Sequence, residues 1–427
     1  MPENNTAGQA PRDEQRPPGA SAGEDLQAPS HQVPAPGQER PPGHGARTGM
    51  DMAAVTADRF DDGPLLVFWE TTKACELACR HCRAQAAPHP SPGELTPDEG
   101  KRLVRRLADF PRPPVLVLTG GDVMARADLR DLVAQAQRSG LPVALAPSVT
   151  GRLTDTALEA LARLGARSVS VSLDGSGPAT HEGVRGVEGH FAATLDAMRR
   201  LRALGFRLQV NTAVMAANAS ELADVASLVL RAGATSWEVF FLVHVGRGQH
   251  EPELSPTENE DVAHFLWEAS CYGLVVRTVE GPWCRRVASW RRANPTEPGS
   301  ATASRYGLGP LYGQLSARLA ERLGPARTPS RMPTAGTRDG KGTLFVGHDG
   351  TLLPAGFMPV PLGNTRVDDP VATYRHHPLL TALRHGRFAG RCGACEYADA
   401  CGGSRARAYA ASGDPLGEDP ACSYVPA

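Results

Sequence analysis

A regular alternation of strand-like and helix-like segments between residues 65 and 270 constrains the fold more than any other feature of this sequence. Short apolar or β-branched runs are each followed by an amphipathic stretch with the helical period. The predicted strands are Leu65–Trp69, Val115–Leu118, Pro142–Ala146, Ser168–Leu173, Arg207–Val214 and Trp237–Val243. Six such units predict an α/β fold, a partial (β/α)6 barrel similar to a TIM barrel, with its active site at the carboxyl ends of parallel strands.

Helix signals fill the intervals between these strands. Thr96-Pro97-Asp98-Glu99 predicts a helix start, because Thr96 can cap, Pro97 suits the first turn and Glu99 can bond back to the cap. Further helices are predicted at Ala127–Arg138, Thr154–Leu164, His190–Leu204, Ser220–Arg231, Thr257–Ser270 and Leu311–Leu323.

Composition divides the chain into four regions. Residues 1–50 are rich in Pro, Gly and charge and contain no Phe, Tyr or Trp, so we expect a disordered leader. We assign residues 60–280 to the barrel and 281–340 to a linker or insert. We assign residues 341–427 to a terminal domain, and from Arg391 onward we expect a loop-rich module whose order comes from metal rather than from a core. A hairpin is predicted around His348-Asp349-Gly350 because Asp-Gly is a strong turn signal.

Charge and cysteine content limit the function. The formal net charge is −1, which gives no global field for nucleic acid or an anionic membrane. The sequence shows neither a membrane span nor a signal peptide, so we expect a cytoplasmic protein that acts on a small molecule or a peptide. Nine cysteines in that compartment are poor disulfide candidates, and metal ligation becomes the leading hypothesis.

The first cysteine group directly follows the first strand. Cys75, Cys79 and Cys82 offer three thiolates, whereas a 4Fe-4S cluster has four irons. The open iron can chelate the amino and carboxylate groups of a methionine, as in S-adenosylmethionine (SAM). A zinc site is the alternative, but structural zinc needs four closed ligands. Redox thiols or a chance grouping are further alternatives.

The spacing CxxxCxxC resembles the motif of the radical SAM superfamily, over about Pro64 to Val279. The resemblance implies a partial barrel, reductive cleavage of SAM to a 5′-deoxyadenosyl radical, and an electron donor such as flavodoxin or ferredoxin. His81 stands where the family usually has an aromatic residue, and it can pack near the cluster or the adenine.

A glycine pair ends the second strand. Gly120 and Gly121 allow close approach of backbone to a ligand, and Asp122 adds a carboxylate. TGGD resembles the GGE motif of the family, which contacts the SAM amino group.

The stretch SLDG followed by HEGVRG resembles the family's ribose- and carboxylate-binding segment. By this resemblance Ser172 contacts the ribose and Arg185 the SAM carboxylate. Asp174 can equally cap or shape the turn at Gly175. Ser148 and Asn211 are further ligand candidates, although each can instead satisfy backbone groups.

Two residues beyond the sixth strand, His244 and Arg247, are substrate candidates at the barrel rim, or turn-stabilising groups. Cys284 can be a further ligand or a radical donor, although an idle thiol is favoured. Cys271 falls in a helical pattern and is predicted to lie in the core.

The second cysteine group comprises Cys392, Cys395, Cys401 and Cys422. Four thiolates can bind zinc or all four irons of a 4Fe-4S cluster. CGxCEY and CGGxRARAYA resemble the auxiliary-cluster extension called SPASM, in the form found in enzymes of heme d1 and alternative heme biosynthesis. Ser404 and Pro354-Ala355 depart from ligand positions of some relatives, so one auxiliary cluster is expected.

Two arginines of this segment, Arg405 and Arg407, are candidates for binding substrate carboxylates, with pairing to Glu396 or Asp414 as the alternative. The terminal motif favours a cofactor precursor, possibly a tetrapyrrole, as the substrate. A radical maturase of ribosomal peptides is the alternative enzyme, and a non-catalytic iron-sulfur or zinc scaffold is the alternative outside the enzymes.

Overall fold

Seven parallel strands form the centre of the protein in a computed structural model that describes residues 59–426. They are β1 (Leu66–Glu70), β2 (Val115–Thr119), β3 (Val143–Leu145), β4 (Ser168–Ser172), β5 (Arg207–Val214), β6 (Ser236–Phe241) and β7 (Val275–Val279). Each pairs in parallel with the next in chain order. The predicted α/β class with parallel strands is therefore confirmed, and β7 adds a strand that the sequence did not predict.

Helices accompany the strands as the alternation predicted, except that the first and the fifth of those below were not predicted. They are α1 (Arg59–Asp62), α2 (Pro97–Leu107), α3 (Leu129–Arg138), α4 (Asp155–Arg163), α5 (Pro178–Arg185), α6 (His190–Ala203), α7 (Leu222–Arg231) and α8 (Pro256–Ser270). The capping box of α2 is present, because Thr96 Oγ1 accepts from the Glu99 amide and Glu99 Oε2 accepts from the Thr96 amide. The expected leader, residues 1–50, lies outside the described residues.

The segment expected to be a linker, 281–340, contains three helices, α9 (Cys284–Ala293), α10 (Ser300–Tyr306) and α11 (Pro310–Leu323). α11 packs against α7 and α8. Three arginines of α9 are buried, and two of them pair with carboxylates of α8: Arg286 with Glu260, and Arg291 with Glu268. Ion pairs therefore contribute to the contact between α8 and α9, where the sequence shows only weak apolar periodicity.

The remaining elements are β8 (Thr343–Val346), β9 (Thr351–Leu353), β10 (Gly363–Asn364), α12 (Pro370–His376), α13 (Pro378–Arg384), α14 (Gly390–Ala394) and α15 (Arg405–Ser412). The predicted hairpin is confirmed as the antiparallel pair β8–β9. β8 also pairs in parallel with β1, so the ten strands form one sheet in the order β10-β9-β8-β1-β2-β3-β4-β5-β6-β7.

Side-chain alternation in the strands separates a filled core from an open interior. In β4, Val169 and Val171 are buried, whereas Ser168 and Ser170 are partly exposed and line a cavity. Small and polar inward residues leave unfilled space where a closed barrel would hold bulky branched side chains. Between residues 59 and 426, no helix combines the length and the apolar character that crossing a bilayer requires.

Candidate active site

The loop after β1 carries the first three cysteines to the carboxyl edge of the sheet. Glu94 organises its start, because its carboxylate accepts from Thr72 Oγ1 and the Lys73 amide, both at 2.9 Å. Arg247 fixes the other side by donating to the carbonyls of Cys79, at 2.8 Å, and Ala86, at 2.9 Å. The loop is thus held from both sides of the barrel mouth.

Each of these three sulfur atoms receives a hydrogen bond. The Leu77 amide donates to Cys75 Sγ at 3.4 Å and the Ala86 amide to Cys82 Sγ at 3.5 Å. Arg185 Nη1 lies 3.5 Å from Cys79 Sγ. Burial raises the pKa of the Cys75 thiol, so a group that binds it as thiolate must offset that penalty. Hydrogen bonds to sulfur are a recognised means of tuning iron-sulfur clusters.

The glycine pair brings β2 against this loop. The Gly121 amide donates to Thr72 O at 2.8 Å and the Asp122 amide to Ala74 O at 2.7 Å. A Cβ at Gly121 would lie 2.4 Å from Ala74 O, and Gly120, at φ +143°, faces the same constraint from Thr72 O. Only glycine permits this approach of two backbones.

The Asp122 side chain bonds to the loop after β3 and to its own turn. Its carboxylate accepts from the Met124 amide at 3.0 Å, the Ser148 amide at 3.3 Å and Thr150 Oγ1 at 2.7 Å. The side chain is buried, and burial raises its pKa above the ordinary value. In the structure Asp122 therefore fixes the loop after β3, and Ser148 in turn donates to Gly121 O.

A buried ion pair lies across the site. Arg185 Nη2 is 2.5 Å from Asp174 Oδ2, and His81 Nε2 is 3.9 Å from the same oxygen. Burial alone would raise the pKa of Asp174, but Arg185 and His81 outweigh it and hold that pKa below its usual value. Burial lowers the pKa of His81 to about 4, so this imidazole is neutral at pH 7.

These groups surround a cavity of about 240 Å³. Its wall includes the predicted site residues Cys75, Cys79, Cys82, His81, Gly120, Gly121, Ser148, Ser172, Arg185, Asn211 and Arg247. Among residues 59–426, His81 Nδ1, Arg185 Nε and Arg247 Nη2 are buried without a hydrogen-bond partner. Buried polar atoms of this kind fit a polar ligand.

The second cysteine group surrounds a smaller cavity, of about 30 Å³. Cys392, Cys395, Cys401 and Cys422 all line it. Backbone amides donate to three of the four sulfurs, each at 3.4 Å, and a Cβ at Gly403 would lie 2.9 Å from Cys392 Sγ. None of the nine cysteines forms a disulfide. Within residues 59–426, no group of three or more His, Cys, Asp or Glu side chains is arranged to bind one metal ion.

Residues 69–229 match the model of the Radical SAM superfamily. The chain is 32% identical over 390 residues to the AdoMet-dependent heme synthase of Nitratidesulfovibrio vulgaris, covering 90% of this chain and 97% of the relative. It is 33% identical over 367 residues to the enzyme of the same name from Methanosarcina barkeri, covering 86% and 98%. The chain belongs to the radical SAM superfamily.

A structural comparison agrees on the fold. SuiB of Streptococcus suis, solved with S-adenosylmethionine, superposes with a TM-score of 0.59 at 14% identity, covering 85% of this chain and 78% of SuiB. The expected partial barrel is thereby confirmed, and the protein is an enzyme of the radical SAM class.

Membership in this superfamily implies a 4Fe-4S cluster and SAM, and the residues of the first cavity fit both. Three thiols with hydrogen bonds to sulfur can hold the cluster, and the unpartnered polar atoms suit a zwitterionic ligand. When bound, the cluster supplies the electron for reductive cleavage of SAM. Arg185 and Asp174 place a positive and a negative charge in the wall of this cavity.

Several predicted substrate residues are engaged elsewhere. Arg405 Nη1 donates to the Gly417 carbonyl, and Arg407 donates to the carbonyls of Glu280, at 2.9 Å, and Leu242, at 2.7 Å. Arg407 also lies 3.5 Å from Asp419, a different acid from the expected Glu396 or Asp414. His244 Nε2 is 3.2 Å from the Glu251 carbonyl oxygen. Cys284 is fully buried, and Cys271 is half-buried with its thiol toward the Trp267 carbonyl.

A larger cavity, of about 470 Å³, adjoins the first one inside the barrel. Seven residues line both: Arg83, Thr119, Ala146, Ser170, Asn211, Phe240 and Phe357. Arg83 was not predicted as a site residue; its guanidinium lies 4.6 Å from the centre of the Phe345 ring, and its Nη2 is 3.0 Å from Glu70 Oε2. Its position directly after Cys82 was the one feature of the sequence that could have indicated a place at this site.

Proposed function

We propose that this radical SAM enzyme modifies a tetrapyrrole precursor of a cofactor and that the precursor bears carboxylates. The observation that carries this proposal is the 470 Å³ cavity that opens onto the proposed SAM site. A substrate bound there would lie next to the cavity that the first cysteines line. The names of the two heme synthases, which match over 97% and 98% of their own lengths, support a tetrapyrrole as that substrate.

The shape and lining of this cavity suit a large, mainly apolar molecule. Leu66, Phe68, Val117 and Ala144 face it from the first three strands, so an extended apolar ring can contact hydrocarbon on one side. Arg83 stands at the boundary with the proposed SAM site and offers guanidinium donors to an acidic substituent. Apolar walls with a few polar groups are typical of small-molecule sites.

The second cysteine group is proposed to hold one auxiliary 4Fe-4S cluster. The support is the common cavity of the four thiols, the amides aimed at three sulfurs and the space that Gly403 leaves beside Cys392. Substitution of Ser404 should leave this cluster intact, because its hydroxyl bonds to the carboxyl group of Glu280. An external reductant of the flavodoxin or ferredoxin class is proposed to supply electrons.

Peptide modification is the second candidate. SuiB, which shares this fold, has also been solved with its precursor peptide SuiA, although 13% identity supports only the common fold. The peptide hypothesis therefore provides the competing arm of the test.

The test is turnover by anaerobically reconstituted enzyme with SAM and dithionite. We expect release of 5′-deoxyadenosine together with a mass change in a carboxylate-bearing porphyrin, and neither product from a variant with Cys75, Cys79 and Cys82 all changed to Ala. Cys271→Ser is the matched control, because this thiol lies in neither cysteine group. Modification of a peptide and of no porphyrinoid would overturn the substrate assignment, and unchanged cleavage by the triple variant would overturn the proposed site.

A further inference from the structure

Two buried carboxyl groups meet at the wall of the larger cavity. Glu280 directly follows β7 and Asp339 precedes β8, and both line the cavity while being 6% and 8% exposed. Ser404 Oγ donates to the Glu280 carboxyl group, and the Ala406 amide, two residues further along, donates to Asp339 Oδ2, so the two groups belong to one buried cluster. Two neighbouring carboxyl groups in a buried site hold a proton more readily than two negative charges, because burial and mutual repulsion both disfavour the doubly charged state. The pair therefore holds a proton against the cavity.

The backbone at Glu280 is held in an unusual conformation. Its φ of +57° lies in the left-handed region. Among residues 59–426, one other non-glycine residue, Gln85, has a positive φ. Arg407 Nη1 donates to the Glu280 carbonyl at 2.9 Å, and Ser404 Oγ donates to its carboxyl group. Strained residues that the surroundings fix in this way are concentrated at functional sites.

The proton belongs to Glu280 rather than Asp339. The Ala406 amide, in the first turn of α15, donates to Asp339 Oδ2 at 2.9 Å and stabilises its negative charge. Burial and the neighbouring Asp339 charge raise the pKa of Glu280 well above its usual value. The charged groups facing the pair are Arg407 on the Glu280 side, and Arg405 and Arg285 on the Asp339 side.

We propose that the Glu280–Asp339 pair binds a carboxyl group of the substrate in the larger cavity by sharing its proton with that group. This inference rests on the proposed function, which supplies the carboxylate. A neutral Glu280 offers an O–H donor where two carboxylates would repel an anion. Arg405 and Arg407 bond to backbone carbonyls, so the pair presents the acidic donor to the cavity, and Arg405 and Arg285 balance the charge of Asp339.

Proton uptake is the signature of this binding mode. A third carboxyl group beside the pair raises the proton affinity of the set, so substrate binding draws a proton from solvent. An O–H bond forms, no electron moves, and the affinity for the substrate falls as the pH rises.

Calorimetry with the reconstituted holoenzyme and coproporphyrin III, in two buffers of different ionisation heat, measures the uptake. We expect net proton uptake and, for Glu280→Ala, about tenfold weaker binding, the loss of one hydrogen bond to a charged group. Glu280→Gln should keep most of the affinity, through its amide donor, but lose the uptake. Coproporphyrin tetramethyl ester, which lacks the free carboxyl groups, should show no uptake.

The matched control is Glu253→Gln. Glu253 lies 3.8 Å from Arg407 but is exposed and does not line the cavity, so this variant should bind and take up protons as the wild type does. Iron content and SAM affinity verify that each variant is folded.

Infrared spectroscopy supplies a readout that needs no substrate. The carbonyl band of a protonated carboxylic acid should be present in the wild type at neutral pH and absent in Glu280→Gln. Two results would overturn the proposed role of the Glu280–Asp339 pair while leaving the proposed function intact. One is the absence of this band in the wild type. The other is porphyrin binding that is as strong in Glu280→Ala as in the wild type and shows the same heat in both buffers. Failure of every porphyrin to bind, with the band present, would overturn the proposed function and the carboxyl subsite with it.

Discussion

The Asp174–Arg185 ion pair concentrates charge in a buried part of the site. Removing one member of such a pair leaves the other charge without compensation, which costs more than the intact pair contributes. We expect Asp174→Asn to lower the free energy of unfolding by about 3 kcal/mol. SAM binding should also weaken, because Arg185 loses the partner that orients it beside Cys79 Sγ. Thermal unfolding and a SAM-binding isotherm measure the two effects.

Asp155→Asn is the control for this substitution. Asp155 pairs with Arg200 at the surface and its side chain is 55% exposed, so its loss should cost less than about 1 kcal/mol and leave SAM binding unchanged. Equal effects of the two substitutions would contradict a special role for the buried pair.

Single residues also show how far sequence can predict a site. Cys75, Gly120 and Ser172 stand at or just beyond strand ends and line one cavity, because the chain order of strands determines where those ends meet. Arg185, at the end of α5, was named from the family resemblance and lines the same cavity. The partners of Arg247 and Arg407 could not be found in this way. Both donate to backbone carbonyls more than 150 positions away in the chain, and no local pattern encodes such contacts.

At the scale of elements, the close backbone contact between the turn after β2 and the loop of the first cysteines can be tested by one substitution. Gly121→Ala places a methyl group against Ala74 O, which is backbone and cannot rotate away. We expect a loss of about 1 to 3 kcal/mol in stability, as for other overpacked sites. Iron bound by the first cysteine group should fall, because the loop must shift. Iron analysis and chemical denaturation report both changes.

The control for this turn is Gly151→Ala. A Cβ at Gly151 meets no atom within 4 Å, so this variant should keep full iron content. Iron retention by Gly121→Ala would show that the loop accommodates the methyl group without cost.

Elements differ in how predictable they were. The strands β1 to β6 and the helices α2, α3, α4, α6 and α7 follow apolar periodicity, so their positions agree with the sequence to within a few residues, whereas α5 was not predicted. The helix α9 escaped prediction because its buried face contains Arg285, Arg286 and Arg291, whose partners lie on α8 and in distant loops. β7 was missed because Arg277 interrupts a short apolar run at the edge of the sheet.

For the molecule as a whole, the two cysteine groups predict separable metal contents. Changing Cys75, Cys79 and Cys82 to Ala should lower the iron content by about half if both groups hold 4Fe-4S clusters. The loss should be confined to the first cavity, since the second group has its own amide donors. Iron analysis with Mössbauer spectroscopy distinguishes the two clusters.

The reciprocal variant changes Cys392, Cys395, Cys401 and Cys422. It should keep the first cluster but destabilise residues 385–426, where few apolar side chains are fully buried. Zinc in place of iron in anaerobically prepared protein would refute the auxiliary-cluster proposal.

The pairing of β8 with β1 links the two ends of the catalytic region. The strand that leads into the first cysteines has β2 on one side and β8 on the other, with Leu66 opposite Thr343 and Trp69 opposite Val346. The C-terminal half is therefore not an interchangeable cassette. Recombination between relatives that swaps this half must preserve the β1–β8 register, because a mismatch there would misplace the cysteine loop even if every metal ligand were retained.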